Sequence, residues 1–177
     1  GLFSEIYLDI NYRITENHVT YLDKINELEN DNTILFPLLK LLKLFVIAFS
    51  NKNVPDIVKN YLEDFVELTK YESYFGDELI EIYDMLKLTF SPKLTKEKKK
   101  KTYSNGISYS IIAGKHYLDK QFFVSLFFAQ KAKEIFIRQN NYKRCISINF
   151  TILNNLASTG TFDDYYKLAR EQMLTIR

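Results

Sequence analysis

Few side chains in this chain of 177 residues could carry out nucleophilic or metal-dependent chemistry. Cys145 is the only cysteine, which excludes an intrachain disulfide and a CxxC zinc site. His18 and His116 have no cysteine or second histidine at the spacing of metal ligands. Lys143 and Arg144 would lower the pKa of an exposed Cys145, but no histidine is near it, which favours a buried thiol. We therefore expect no metal and no cofactor.

The chain also lacks the short motifs of common enzyme classes. It contains no GxxxxGKS/T, GxGxxG, HExxH or GxSxG sequence. Carboxylate pairs such as Asp163-Asp164 fall at predicted helix starts, where the helix dipole favours acidic residues without any chemistry. These features predict that the protein is not an enzyme.

The elements that carry these side chains are predicted from the scarcity of turn residues. The chain has 5 Gly and 3 Pro, whereas average usage of about 7% and 5% would give many more. A β-sandwich or barrel needs turn signals about every 8–12 residues. Apolar residues between the polar breaks recur at spacings of three and four, which is typical of helices. The sequence predicts an all-α fold of eight or nine helices without strands.

We expect a single domain over residues 1–177, with hairpins that pair neighbouring helices. Ile34 to Phe49 is the most apolar stretch, but it is too short and too charged, with two lysines, to span a bilayer. It predicts the most buried helix. Gly160 predicts a turn between helices 142–159 and 162–175, after a helix over 119–139. Because the chain starts with Gly1 rather than Met, we expect a missing upstream segment. The single unpaired cysteine fits a reducing, cytoplasmic compartment, and no signal peptide or membrane-spanning segment is predicted.

Charge is divided unevenly between the two halves of the chain. Residues 1–90 carry 8 Lys and Arg against 16 Asp and Glu, a net of −8, and residues 91–177 carry 16 against 6, a net of +10. The halves could contact each other, pair subunits head to tail, or face different partners. The lysine run that ends in Lys98–Lys101 is best explained as a solvated surface, with an acidic partner or nucleic acid as alternatives.

The second half of the chain contains an internal repeat with a period of 40 residues. Alignment of Gly160 with Lys120 matches Phe162 with Phe122, Ala169 with Ala129, and Ile152 with Ile112, whereas Tyr165 falls on Ser125 and Leu156 on His116. The repeat is clear over 103–177, whereas 1–90 contains divergent hairpins. Each unit is predicted to be two antiparallel helices with small residues at their crossing.

The residues of these units resemble tetratricopeptide repeats. The family places an aromatic, an aliphatic and a small residue in its first helix, small residues in its second, and glycine followed by an aromatic near the turn. The matching residues are Tyr109, Ile112, Ala113, Ser125, Ala129, Ala132, Gly160 and Phe162. The last unit departs from the pattern at Asn149, Leu153, Tyr165 and Gln172. The resemblance implies hairpins stacked in a right-handed superhelix, with looser packing of the last pair.

A more specific resemblance lies in the segment from Phe128 to Arg144, FAQKAKEIFIRQNNYKR. It is similar to a junction in the helical-repeat domains of peptide-responsive transcription regulators of Gram-positive bacteria, of the Rgg and PlcR type. The resemblance implies a repeat domain that forms homodimers and binds a short signal peptide on its concave face. It also implies that DNA is bound through an N-terminal helix-turn-helix domain, which this sequence does not contain.

On the concave face of such arrays, ligands meet polar residues of the first helix in each pair. The candidate peptide-binding residues share one face of each helix by their spacing: Ser147, Phe150, Thr151, Asn154 and Ser158, and then Ser110, Gly114 and Tyr117. The side-chain amide of Asn154 could clamp a peptide backbone, because it both donates and accepts hydrogen bonds. Alternatively, Asn154 and Asn155 are a solvated pair. Gly114 marks either the close approach of a ligand or helix, or the approaching helix end.

These features support three hypotheses for function. The first is the ligand-sensing and dimerising domain of a cytoplasmic transcription regulator, which a peptide switches by a population shift between two arrangements. The second is a helical-repeat adaptor that binds a protein segment and has no DNA role. The third is a phosphatase-like regulator that acts on a response-regulator partner.

Overall fold

The computed structural model describes residues 2–12, 18–31, 36–50, 54–90 and 105–175. Within these ranges the chain forms nine α-helices and no strand, which confirms the predicted all-α fold and helix number. A 3₁₀ helix over Thr69–Tyr74 follows the fourth helix. None of the described helices combines the length and apolar character needed to cross a bilayer. The helices are α1 (Leu2–Tyr12), α2 (His18–Asp31), α3 (Phe36–Ser50), α4 (Val54–Leu68), α5 (Asp77–Phe90), α6 (Gly106–Leu118), α7 (Phe122–Arg138), α8 (Tyr142–Thr159) and α9 (Phe162–Thr175).

The chain divides into two compact units, an N-terminal unit (Gly1–Pro92) and a C-terminal unit (Lys93–Arg177). The division falls between the divergent region 1–90 and the repeat region 103–177 that the sequence distinguishes. The prediction of one domain, like the right-handed superhelical stacking of the hairpins, stays a prediction.

Helix α3 is the centre of the N-terminal unit and packs against α1, α2, α4 and α5. Leu41, Phe45 and Val46 are fully buried in it, and the ring of Phe45 lies 5.1 Å from that of Phe49. A helix that is apolar on nearly all sides is stable only when it is buried in a core. The prediction that the most apolar stretch forms the most buried helix is confirmed.

The two lysines of α3 pair with acidic residues of neighbouring helices. Lys40 hydrogen-bonds to Glu67, and its Nζ lies 3.0 Å from Asp64 Oδ1. Lys43 Nζ lies 3.0 Å from Glu29 Oε2. Burial lowers the pKa of Lys40, but the hydrogen bonds to Glu67 and Asp64 and their charges outweigh it, so the pKa lies above the usual 10.5. Ion pairs thus let charged residues occupy the central helix.

Turns of the C-terminal unit recur at a constant spacing of twenty residues. Lys120, Asn140 and Gly160 have φ angles of 59°, 53° and 73°, in the left-handed region. At each turn the next amide donates to a carbonyl five residues back, as in the bonds from Gln121 to His116, Asn141 to Phe136 and Thr161 to Leu156, at 2.8, 2.8 and 3.0 Å. This is the Schellman pattern of helix termination.

These turns determine the order of packing in the C-terminal unit. Helix α7 packs against α6 and α8, α8 packs against α9, and α6 also contacts α8. The predicted hairpin of helices 142–159 and 162–175 is confirmed, with Gly160 at its turn. The helix predicted over 119–139 begins only at Phe122, because Asp119 and Lys120 belong to the turn.

Small residues allow the helices of the C-terminal unit to approach closely. Ala113, Ala129 and Ala132 are fully buried at the contacts of α6, α7 and α8. A Cβ at Gly106 would lie 2.5 Å from the ring of Phe136, so only glycine leaves room for this aromatic side chain. The first residue of α6 and the last turn of α7 are therefore packed together.

Candidate ligand-binding surface

The five predicted residues of α8 lie along one flank of the helix. Phe150 is 57% exposed although its side chain is apolar, and Ser147, Asn154 and Ser158 are also exposed. Thr151 is half-buried. The hydroxyl of Ser158 donates to the backbone carbonyl of Asn154 at 2.8 Å. The flank combines one aromatic ring with polar groups that face solvent.

The three predicted residues of α6 are half-buried. The hydroxyl of Ser110 donates to the carbonyl of Gly106 at 3.0 Å, and the ring of Tyr117 lies 5.5 Å from that of Phe122. Apart from its two chain neighbours and its own helix backbone, no atom of the described residues would lie within 4 Å of a Cβ at Gly114. Close approach of another helix therefore does not explain this glycine.

The candidate residues of α6 and α8 are related by the spacing of the turns. Gly114 lies six residues before Lys120, and Asn154 lies six residues before Gly160, the two left-handed positions. Ser110 and Phe150 are related in the same way, ten residues before each turn. Since α6 and α8 also contact each other, the structure places the two sets in corresponding positions of neighbouring helices.

A buried polar network holds α8 in register beneath this surface. The hydroxyl of Ser125 donates to the carbonyl of Ala113 at 2.7 Å and accepts a hydrogen bond from Asn155 Nδ2 at 2.9 Å. Asn155 Nδ2 also donates to the carbonyl of Thr151 at 2.8 Å. The network links α6, α7 and α8 through Ala113, Ser125 and Asn155, which are fully buried. It positions the helix that carries Phe150.

Sequence reasoning missed the role of Asn155 and selected its neighbour Asn154. Asn155 is fully buried, and its Oδ1 has no hydrogen-bond partner among the described residues. The signal was present in the spacing, because Asn155 lies seven residues after Ile148 and three after Ile152, on the buried stripe of α8. Asn154, one position earlier, lies about 100° away around the helix and is exposed.

The residues considered for catalysis lie in environments that suit a structural role. Burial raises the pKa of Cys145, against the opposing charge of Lys133, so the reactive thiolate is disfavoured. His116 stacks on the ring of Phe128 at 5.5 Å, and its Nδ1 lies 2.6 Å from Gln121 Oε1. No group of three His, Cys, Asp or Glu side chains in the described ranges could hold a metal ion. The run Lys98–Lys101 and the side chain of His18 lie outside the described residues.

Helix α9 has a second surface of interest on the side away from α8. Tyr166, Met173 and Leu174 are each about two-thirds exposed or more. With Ala169 and Arg170 they line an open groove of about 490 Å³. Large apolar side chains gathered on one exposed helix face are typical of interaction surfaces.

Comparison of the chain with family models, with curated proteins and with solved structures finds no match.

Proposed function

We propose that this chain is the ligand-sensing and dimerising domain of a cytoplasmic transcription regulator, and that it binds a short signal peptide on the surface formed by α8 and α6. The observation that carries the proposal is the exposed Phe150 beside the exposed amide of Asn154 on one flank of α8. An aromatic side chain supplies contact area, and an amide pairs with a peptide bond as donor and acceptor.

The neighbouring helix supports the same mode of binding. Gly114 offers an open position where other residues would carry a side chain, at the place in α6 that corresponds to Asn154 in α8. An extended peptide could pass over Gly114 and continue to Asn154 and Phe150. The resemblance to Rgg and PlcR-type regulators also supports a peptide as the ligand.

The binding experiment uses a library of synthetic heptapeptides and isothermal titration calorimetry with the 177-residue chain. For a peptide that binds, Asn154→Ala and Phe150→Ala should each weaken affinity about tenfold, as expected for the loss of a hydrogen bond or an aromatic contact. Gln130→Ala, which removes an exposed amide from α7, is the matched control and should bind normally. Equal affinity of the wild type and all three variants would show that α8 is not part of the binding site.

The dimer is proposed to form through the exposed face of α9. Antiparallel pairing of two such faces would bring Tyr166 against Met173 of a second copy, with the small Ala169 near the crossing. Sedimentation at several concentrations tests this contact. Met173→Glu should dissociate the dimer, whereas Phe123→Glu on α7 should not. If only Phe123→Glu disrupts the dimer, the contact lies on α7. A monomer at all concentrations would contradict dimerisation.

A protein-interaction adaptor without a DNA role is the second candidate. The observation that favours it is a row of exposed apolar residues on α7, namely Phe123, Phe127 and Ile137. The upstream reading frame separates the two functions. A helix-turn-helix pattern directly before the chain supports the regulator, and an unrelated upstream sequence supports the adaptor.

A further inference from the structure

The N-terminal unit contains a small cavity that the proposed peptide surface does not involve. It has a volume of about 130 Å³ and lies between α2, α3 and α4. One part of its wall is apolar, formed by Phe36, Leu44 and Ile47. The volume is slightly below that of a cavity of about 150 Å³ that accommodates benzene in another protein, and the half-exposed Asp64 leaves the cavity open on one side, so it suits a molecule of about six to eight heavy atoms.

The rest of the cavity wall carries charges of both signs. Lys40 and Lys43 contribute ammonium groups, and Glu29 and Asp64 contribute carboxylates. The formal charges of these four lining residues cancel, and Glu67, which pairs with Lys40 from outside the wall, adds one negative charge, so the site disfavours a ligand with a net negative charge. It favours a neutral ligand whose own positive and negative groups are separated.

Part of the hydrogen-bonding capacity of this wall is unused. Lys43 Nζ pairs with Glu29 alone among the described residues, and an ammonium has three donors. Asp64 contacts Lys40 through Oδ1 and retains Oδ2 as an acceptor. The half-buried Tyr61 adds a hydroxyl that no other described residue engages. Donors for a carboxylate and acceptors for an ammonium are therefore both available.

We propose that this cavity binds a small aliphatic α-amino acid in its zwitterionic form. The ligand carboxylate accepts hydrogen bonds from Lys43 and Tyr61, and the ligand ammonium donates to Asp64. The aliphatic side chain packs against Leu44 and Ile47. A valine-sized ligand matches both the volume and the apolar part of the wall.

Calorimetric titration of the full 177-residue chain compares L-valine with two analogues that each lack one charged group. Isovalerate lacks the ammonium, and isobutylamine lacks the carboxylate. Each should bind at least about tenfold more weakly than valine, because each leaves charged groups of the wall unpaired. The absence of valine binding at millimolar concentration, or equal binding of either analogue, would overturn the proposal.

Two variants test the residues of the wall. Lys43→Met keeps the aliphatic stem and Tyr61→Phe keeps the ring, and both should weaken valine binding. Lys59→Met is the matched control, since Lys59 is exposed on α4 and does not line the cavity. Far-UV circular dichroism checks that each variant is folded. If Lys43→Met does not fold, Tyr61→Phe alone tests the assignment. Unchanged binding by a folded Lys43→Met or Tyr61→Phe protein would contradict the assignment.

Discussion

The two compact units differ in what fills the contacts between their helices. In the N-terminal unit, large apolar and aromatic side chains surround α3, and the ring of Phe65 stacks at 4.9 Å on that of Phe90. In the C-terminal unit, alanines, a serine and a glycine lie at the contacts, and a chain of hydrogen bonds crosses three helices. The first unit depends on large buried side chains throughout, whereas the second combines buried apolar side chains such as Phe136 and Ile152 with small residues where its helices meet.

This difference shows that helices of one fold class can be fixed in their packing arrangement in two ways. A core of large side chains tolerates irregular helix spacing as long as its volume is filled. Helices in contact through small residues must cross at fixed points, and a polar network then selects one register. The same type of substitution should therefore have unequal effects in the two units.

The largest expected effect is the removal of an aromatic side chain from the centre of the N-terminal unit. Phe45→Ala should lower the free energy of unfolding by about 3–5 kcal/mol, because it leaves a cavity in a fully buried site. Urea denaturation followed by circular dichroism measures the change. Phe123→Ala is the control, since this ring is 75% exposed, and should stay within about 0.5 kcal/mol. A loss below about 1 kcal/mol for Phe45→Ala would argue against an apolar centre at α3.

The next effect concerns the polar network of the C-terminal unit. Asn155→Ala should cost about 1–3 kcal/mol, because it removes hydrogen bonds to Ser125 and Thr151 in a buried site. Asn154→Ala, one residue away and exposed, should change stability by less than about 0.5 kcal/mol. A double-mutant cycle with Ser125→Ala should give a coupling of at least about 0.5 kcal/mol. Additive effects would mean that the two residues act independently.

The third effect is the dependence of stability on alkaline pH. Burial, together with the charge of Glu72 and the hydrogen bond to it, raises the pKa of Tyr83 to about 12. The unfolded chain releases this proton near the ordinary value of 10, so the folded state binds it more tightly. The stabilisation is fully present below pH 10 and is lost as the pH rises towards 12.

The loss should amount to about 1–2 kcal/mol at high pH and can be measured by urea denaturation between pH 9 and about 12. Tyr83→Phe should remove this part of the pH dependence. Glu72→Gln should move the tyrosinate transition, followed by ultraviolet absorbance, to lower pH without restoring the ordinary value, since burial remains. An unshifted transition in that variant would assign the effect to burial and the charge of Asp84.

The smallest effects are expected at the turns of the C-terminal unit. Gly160→Ala should cost about 1 kcal/mol, because a Cβ disfavours the left-handed conformation. Lys120→Gly should stabilise by about 0.5 kcal/mol, since the relief of strain exceeds the entropy that glycine adds to the unfolded chain. Thermal denaturation measures both changes. Changes of the same sign would contradict the equivalence of the two turns.

The sequence predicts the fold well where few residue types readily adopt the required backbone conformation. Gly160 identifies its turn because glycine readily adopts a positive φ angle. Lys120 occupies the same conformation but gives no such signal, since lysine is common on helix surfaces. The predicted helix over 119–139 therefore begins three residues before the observed start at Phe122. The period of 40 residues is visible, but the spacing of twenty between turns becomes apparent only from the backbone.

The candidate surface is less predictable from sequence. Helical spacing correctly places Phe150 and Asn154 on one flank, yet it does not reveal that Asn155 is a buried link between helices, because its partner Ser125 lies thirty residues away. The same holds for the cavity of the N-terminal unit. The lysines of α3 are visible in an apolar segment, but their pairing with Glu29 and Asp64 depends on how three helices pack.

The constant spacing of the three turns restricts how the C-terminal unit can change in length. One residue inserted into α8 before Asn155 would rotate the following residues by about 100° around the helix axis and move the amide away from Ser125. A duplicated stretch of forty residues would instead add a whole hairpin with both of its turns and leave every later residue facing as before. We expect natural or designed variants to grow by whole hairpins, while single insertions within these helices are eliminated.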